Sequence, residues 1–183
     1  MLRTIINMFR IRELRERMLF TLALLAVYRI GSFVPTPGID PLRLRQRGDL
    51  LGGGLLNVMD LFTGGNLQNV TIFALGVMPY ISASIILQLM TSVVPTLERL
   101  SREGEAGRRK INQYTRYGTI LVCLIQAVML GRSLWQADVS LIRSPFFFLF
   151  LVTITQTAGT TFTMWLGEQI SSRGIGNGIS LII

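Results

Sequence analysis

Histidine is absent from this 183-residue sequence, cysteine occurs once, and only 15% of the residues are charged. Without histidine, an imidazole metal site and a histidine-based catalytic triad are both excluded. The lone cysteine, Cys123, lies in an apolar run and is interpreted as a small buried hydrophobe. The GxSxG, HExxH and GxxxxGK(S/T) motifs do not occur. We therefore predict a protein that is not an enzyme and that has no catalytic residue, cofactor or metal site.

The residues that are present are largely apolar. Hydrophobic residues make up 50% of the chain and the mean hydropathy is +0.50, values typical of membrane proteins. The net charge of +8 comes mainly from arginines that stand in blocks between apolar runs. Because such blocks are typical of membrane topology, a lipid bilayer is the expected partner and no direct nucleic-acid substrate is expected.

The apolar runs predict an all-α integral membrane protein, a multi-helix bundle. Predicted spans cover about residues 18–34, 70–94, 114–134 and 145–166, and a fifth run begins at residue 179. Since the five residues of that last run cannot cross a bilayer, the sequence is expected to be the front part of a larger membrane protein. Residues 1–17 carry five arginines among apolar residues. They are either a cytoplasmic amphipathic helix or a basic flank that only sets orientation.

The arginine blocks also predict the orientation. Spans 18–34 and 70–94 return the chain to its starting side, so residues 1–17 share one face with the basic block at residues 98–116. By the positive-inside rule that face is cytoplasmic. The N-terminus is therefore expected in the cytoplasm, together with a basic loop that contains Arg108, Arg109 and Lys110.

Residues 55–62 form a short apolar run between two glycine clusters, just before the predicted span 70–94. The run is too short to cross a bilayer, which needs about 20 residues, and it predicts a re-entrant half-helix. Non-helical backbone is tolerated at membrane depth only where protein or a water-filled cavity surrounds it, so we expect a cavity within the membrane. Asp60, the only acid of the run, should face water or a partner.

A helix over residues 70–94 has two different faces. One mixes branched aliphatic and small polar side chains: Val77, Ile81, Ser84, Ile85 and Gln88. The opposite face is bulky and apolar and is expected to meet lipid: Leu75, Pro79, Ile86 and Met90. The first face fits a hydrophobic constriction that closes a pore by dewetting, and the alternative is ordinary packing through small residues. Pro79 is expected to loosen the helix by removing a backbone bond to residue 75.

A polar stripe marks the fourth predicted span and consists of Thr153, Gln156, Thr157, Thr160 and Thr161. Such stripes are interpreted as contacts between helices rather than as a transport path. Trp165, at the inner end of the span, is interpreted as an interfacial anchor.

Five long strings carry a resemblance to a known family, and they occur in the same order. They are RIGSFVPTPGID, MDLFTGGN, IFALGVMPYISASIILQLM, EGEAGRRKINQYTRYGT and MWLGEQISSRGIGNGISLII. Over its whole length the chain resembles the SecY family of protein-conducting channels. The resemblance implies that residues 18–183 are the N-terminal half of an inverted-repeat channel. It also implies a central channel subunit of the Sec translocase that passes unfolded preproteins across and into the membrane through a plugged hydrophobic pore.

The resemblance also implies roles for particular residues. The plug would be Leu55, Leu56, Asn57, Val58, Met59, Asp60, Leu61, Phe62, Thr63 and Gly64. The ring of aliphatic side chains that narrows the pore would include Val77, Ile81, Ile179 and Ile183, and the gate face of the pore helix would include Ser84, Ile85 and Gln88. Val77 stands where isoleucine is common in the family, so this ring is expected to seal less tightly.

The partners implied by the resemblance are SecE, SecG, SecA, the ribosome and preproteins that bear signal sequences. The implied location is the cell inner (plasma) membrane. A secondary transporter with a re-entrant half-helix is the alternative function. That alternative needs a binding group near the middle of the membrane, where the long span offers Gln88 and serines but no charge.

Overall fold

The computed structural model describes residues 12–40, 42–44, 64–67 and 69–183. Six helices of five or more residues lie in this part, in chain order α1 Arg12–Gly31, α2 Met78–Val93, α3 Pro95–Arg102, α4 Glu105–Gln136, α5 Pro145–Arg173 and α6 Gly178–Ile182. Residues 42–44 are also helical. Extended structure in the described ranges is limited to two isolated β-bridges, which join Pro35 to Thr71 and Ile39 to Ser140. The predicted all-α fold class is confirmed.

Helix α1 begins before the predicted span 18–34 and ends before it does. It ends at Gly31 because the chain tightens into two turns, in which Phe33 N donates to Ile30 O and Val34 N donates to Gly31 O. Pro35 follows, and the residue before a proline avoids the helical region. Residues 12–17 of the predicted amphipathic segment continue straight into α1. Residues 1–11 of that segment lie outside the described residues.

Helix α2 begins at Met78, not at residue 70, so the predicted helix over 70–94 is wrong in its first third. The φ angles of Val70 and Gly76 are +42° and +52°, which a right-handed helix does not accept. Pro79 lies in the first helical turn, where the missing N–H has no helical partner to lose. Pro79 therefore starts the helix and does not loosen it. We call residues 69–77 the lead-in segment.

The basic block at residues 98–116 is helical and not the predicted loop. After Val93 the chain bends by 99° into α3, which begins at Pro95. Gly104, with φ of +74°, then turns the chain into α4. A Cβ atom added at Gly107 would lie 1.7 Å from the carbonyl oxygen of Leu100, so glycine permits the close approach of α3 and α4.

Helices α4 and α5 are long and apolar enough to cross a membrane, and the bent pair α2–α3 is a third candidate among the described residues. The predicted spans 114–134 and 145–166 lie inside α4 and α5, which have 32 and 29 residues. A 32-residue helix is about 48 Å long and a hydrocarbon core about 30 Å thick, so the ends of α4 extend beyond the apolar region. Helix α6 begins where the side chain of Asn177 accepts a hydrogen bond from Ile179 N.

Helices α2 and α3 pack on α4, whereas α1, α4 and α6 pack on α5. Helix α4 lies against it along its length, and α1 joins it through Thr21, whose hydroxyl accepts a hydrogen bond from Ile175 N just after α5. Cys123 is buried in α4, as its apolar surroundings in the sequence predicted. One hydrophobic cluster surrounds Leu134 and Phe148 near the α4–α5 connection, and a second surrounds Leu166 and Ile170 towards the other end of α5. The second cluster positions the candidate site.

Candidate pore-lining site

Val77 is a buried member of the second cluster, and only 4% of its surface is exposed. It is the N-cap residue of α2, and it packs with Leu166 and Ile170 of α5 and Ile182 of α6. Leu166 and Ile170 are one helical turn apart, so both point at the start of α2. The start of the predicted pore helix is therefore fastened to α5 and α6 through aliphatic side chains.

An open cavity of about 510 Å³ lies beside this cluster, between α2 and the end of α5. Ile81, Ser84 and Ile85 line its α2 side together with Tyr80. Ser171, Gly176, Asn177 and Ile179 line the other side. The lining combines aliphatic side chains with hydroxyl and amide groups and carries no formal charge at neutral pH. Such a surface can hold an apolar or neutral segment by contact, without charged groups.

The structure brings together three of the four predicted ring residues. Val77 and Ile179 meet in the second cluster, and Ile81 and Ile179 face the same cavity. Ile183 is 48% exposed at the end of the described chain and belongs to neither group. Val77 is a packed core residue of this chain, whereas Ile81 and Ile179 present surface to the cavity.

Two residues of the predicted gate face lie on the cavity surface. Ser84 and Ile85 line the cavity, and Gln88 is exposed one turn further, with its amide Nε2 3.4 Å from the hydroxyl of Ser84. Arg108, Arg109 and Lys110 are exposed on the first turns of α4, in a helix and not in the predicted loop.

The predicted lipid face of α2 is wrong at Pro79, which is fully buried. Pro79 lies one turn before Ala83, and Ala83 is the neighbour that an added Cβ at Gly118 of α4 would meet at 3.6 Å. That side of α2 therefore packs on α4 instead of facing lipid. Ile86 and Met90 are exposed as expected, while Leu75 precedes the helix and has no helical face.

The predicted plug lies almost wholly outside the described residues. Residues 55–63, including Asp60, are not among them. Gly64 is exposed and has a φ of +65°, which glycine adopts readily.

The polar stripe of α5 divides into two parts. Thr157 and Thr161 donate their hydroxyls to Thr153 O and Thr157 O, within the helix itself. Gln156 is fully buried, and its backbone carbonyl oxygen accepts a hydrogen bond from the Cys123 thiol of α4, at 3.8 Å. The stripe thus makes contact between helices at Gln156, and it satisfies the hydroxyls of Thr157 and Thr161 within the helix. The buried hydroxyls of Thr153 and Thr160 and the side-chain oxygen of Gln156 have no hydrogen-bond partner among the described residues.

Sequence reasoning missed several residues of the site. Leu166, Ile170 and Ile182 complete the cluster, and Tyr80, Ser171 and Asn177 line the cavity. The spacing of Leu166 and Ile170 is a helical signal that was available in the sequence. The predicted fourth span ends at residue 166 and so excludes Ile170, whereas α5 continues to Arg173.

The fold and the site together define an all-α integral membrane protein built around a bent, cavity-lining helix. Residues 71–183 match the family model described as SecY. This chain therefore belongs to the SecY family, and the resemblance predicted from the sequence strings is confirmed.

Relatives of high similarity agree with this assignment. The chain is 50% identical over 171 residues to "Protein translocase subunit SecY" of Pseudomonas aeruginosa, with 93% of this chain and 38% of that protein covered. It is 49% identical over 174 residues to the protein of the same name from Escherichia coli, covering 93% of this chain and 39% of that protein. For the Thermus thermophilus protein the identity is 46% over 188 residues, with 100% of this chain and 43% of that protein covered. The chain thus spans about 40% of the length of these relatives.

Solved structures show the same fold. "Sec61 in the Canine ribosome-channel complex from the endoplasmic reticulum" matches with a TM-score of 0.63 and 22% identity, covering 91% of this chain and 34% of that one. "The structure of a protein conducting channel" matches with the same TM-score, identity and coverage. At this identity the likeness concerns the fold alone.

Proposed function

We propose that this chain forms the front portion of a protein-conducting channel that passes unfolded preproteins across and into the membrane through a plugged hydrophobic pore. The observation that carries the proposal is the cavity between α2 and the end of α5. Ile81 lines its α2 side, Ile179 lines the other side, and no lining residue carries a formal charge. Relatives that are about half identical in sequence and bear the name protein translocase subunit support it.

The proposed mechanism is passive gating. Ile81 and Ile179 supply part of an aliphatic ring, Ile183 extends it, and Val77 holds the start of α2 behind it. Residues 55–64 act as the plug. A signal helix competes for the gate face at Ser84, Ile85 and Gln88, since each Å² of apolar surface removed from water is worth about 25 cal/mol. No bond is made or broken, so the energy comes from a partner motor or from chain synthesis.

The proposed partners follow from the same assignment. SecE and SecG would complete the channel in the bilayer, while SecA or the ribosome would supply the preprotein. One solved neighbour is titled a ribosome–channel complex, which supports the ribosome as a partner, and we assign the docking face to the basic helices. The exposed Arg108, Arg109 and Lys110 form that face on the cytoplasmic side of the inner (plasma) membrane, where the N-terminus also lies.

Ion conductance of vesicles tests the proposal. The assay uses a channel polypeptide of full family length that carries residues 1–183. Deleting residues 55–64, or replacing Ile81→Ser in the cavity lining, should raise the resting ion leak, because either change removes part of the seal. Ile86→Ser is the matched control, since Ile86 lies on the same helix but is 50% exposed away from the cavity. A resting leak unchanged by both alterations would reject the plug and the ring.

A further inference from the structure

A buried glutamine holds the lead-in segment against the middle of α5. Gln156 is fully buried. Its Nε2 atom donates to the hydroxyl of Thr36, at 2.8 Å, and to the carbonyl oxygen of Thr71, at 3.0 Å. Thr36 and Thr71 lie 120 and 85 residues before Gln156 in the sequence, so these bonds join three distant stretches of the chain. Removing this donor would leave the Thr36 hydroxyl without its partner and the Thr71 carbonyl with only the N–H of Ala74. An unpaired buried acceptor costs more than the bond itself contributes.

A glycine one turn further along α5 lets the lead-in backbone come into contact with the helix. A Cβ atom added at Gly159 would lie 1.8 Å from the carbonyl oxygen of Ile72. That oxygen belongs to backbone, which cannot move aside as a flexible side chain can. Gln156 and Gly159 are three residues apart and so lie on one face of α5. One face of α5 therefore contacts both Thr71 and Ile72 through their backbone carbonyls.

The next residue of the segment, Phe73, is held by rings on two helices. Its ring stacks on Tyr28 of α1 at a centroid distance of 5.3 Å and on Phe162 of α5 at 6.0 Å. The ring also fills the space left by Gly31, where an added Cβ would meet its Cε2 atom at 2.2 Å. Phe73 is consequently fixed between α1 and α5.

Backbone bonds complete the attachment. Thr36 N donates to Val70 O and Ile72 N donates to Val34 O, both at 3.0 Å, which pairs the segment with the residues after α1. The segment keeps left-handed backbone at Val70, a conformation that a β-branched residue holds only when its surroundings impose it. These contacts are those surroundings.

We propose that Gln156 and Gly159 form a docking point on α5 that holds residues 71–73, and thereby the start of α2, in one position. Gln156 is in this sense a positioning residue for the gate, acting through the lead-in segment and not by contact with the translocating chain. Only one part of this proposal rests on the proposed channel function, namely that the docking keeps the pore closed. The docking itself is a separate property that can be measured without transport.

Cysteine protection measures the docking directly. The full-length channel polypeptide is made free of cysteine, with Cys123→Ala, and receives one reporter. Ala74→Cys reports on the lead-in segment and Ala127→Cys on α4, since both alanines are fully buried. The rate of modification by N-ethylmaleimide is then compared between the parent and Gln156→Met, which keeps the side-chain length and removes the two donors.

The expected result is local. With Gln156→Met, modification of the Ala74→Cys reporter should become about tenfold faster, while that of the Ala127→Cys reporter stays unchanged. Gly159→Ala should give the same signature because the added methyl displaces Ile72. Thr163→Val is the matched control: Thr163 is equally buried on α5, but its hydroxyl bonds only to Gly159 O, so the Ala74→Cys reporter should stay protected.

Two results would overturn the docking point: equal acceleration at both reporters, which means general loosening, or no acceleration at the Ala74→Cys reporter in either variant. The ion leak of the same vesicles is recorded in parallel. Faster modification without increased leak would support the docking point and count against the channel function. Increased leak without faster modification would support the channel function and count against the docking point.

Discussion

Arg116 of α4 and Glu168 of α5 form a two-point ion pair. The guanidinium contacts the carboxylate through Nε, at 2.8 Å, and through Nη2, at 2.7 Å. The Glu168 side chain is only 24% exposed, so this pair is better shielded than the ion pair between Arg102 and Glu98, where the two side chains are 79% and 48% exposed. The planar fork of arginine matches a carboxylate in a way that lysine does not.

We expect Arg116→Lys to lower the free energy of unfolding by about 0.5–1 kcal/mol, because one of the two parallel bonds is lost. The midpoint of thermal unfolding in detergent measures the effect. Arg102→Lys is the control and should change stability by about 0.3 kcal/mol or less, since that pair lies within one exposed helix. Equal effects of the two substitutions would show that the link between α4 and α5 adds nothing to stability.

Gly107→Ala should destabilise the protein by about 1–3 kcal/mol, because the added methyl would be forced into the carbonyl of Leu100. Gly118→Ala, on the same helix, should be neutral or stabilising by up to about 1 kcal/mol. There the nearest atom to the added methyl is Ala83 Cβ at 3.6 Å, an ordinary contact, and alanine favours helix. Thermal unfolding compares the two, and tolerance of Gly107→Ala would contradict the close approach of α3 and α4.

At position 70, we expect the usual order of stability of alanine and glycine variants to be reversed. Val70 is buried, 3% exposed, and has a φ of +42°. Alanine retains the unfavourable backbone conformation and loses two methyl groups worth about 1.6 kcal/mol, whereas glycine loses more burial but adopts this φ freely. We therefore expect Val70→Gly to be at least as stable as Val70→Ala when thermal midpoints are compared. In ordinary backbone, alanine is more stable than glycine by about 0.5–1 kcal/mol. If Val70→Ala exceeds Val70→Gly in stability by that amount, the left-handed geometry of Val70 is contradicted.

Substitutions at Val77 and Ile81 should have different effects on thermal stability and on the resting ion leak. Val77→Ala removes two methyl groups from a closed cluster and should cost about 2 kcal/mol in thermal unfolding. Ile81→Ala trims a side chain that faces the open cavity and should cost less, despite the larger truncation, while it raises the resting ion leak more. If Ile81→Ala is instead the more destabilising change and leaves conductance unaltered, Ile81 is a core residue and not a lining one.

Long apolar runs allowed α4 and α5 to be predicted, since burial of such runs in lipid depends on composition alone. The start of α2 was mistaken because the residues before it look apolar and helical, while contacts with Tyr28, Thr36 and Gln156 impose a different backbone. Partners so distant in sequence leave no local pattern. The sequence predicts a loop between residues 94 and 114, where the structure has helices, because a block of charge signals orientation but not secondary structure.

The 99° bend at the end of α2 has a mechanical consequence. Helix α2 is held at its start by the lead-in segment and at its end by α3, which packs closely on α4. Between the two ends, Ile85, Ile86 and Leu89 are all at least half exposed. The middle of α2 is also held on its other side, where Ala83 packs on α4. The exposed apolar side can therefore contact lipid or another helix while both ends of α2 stay in place.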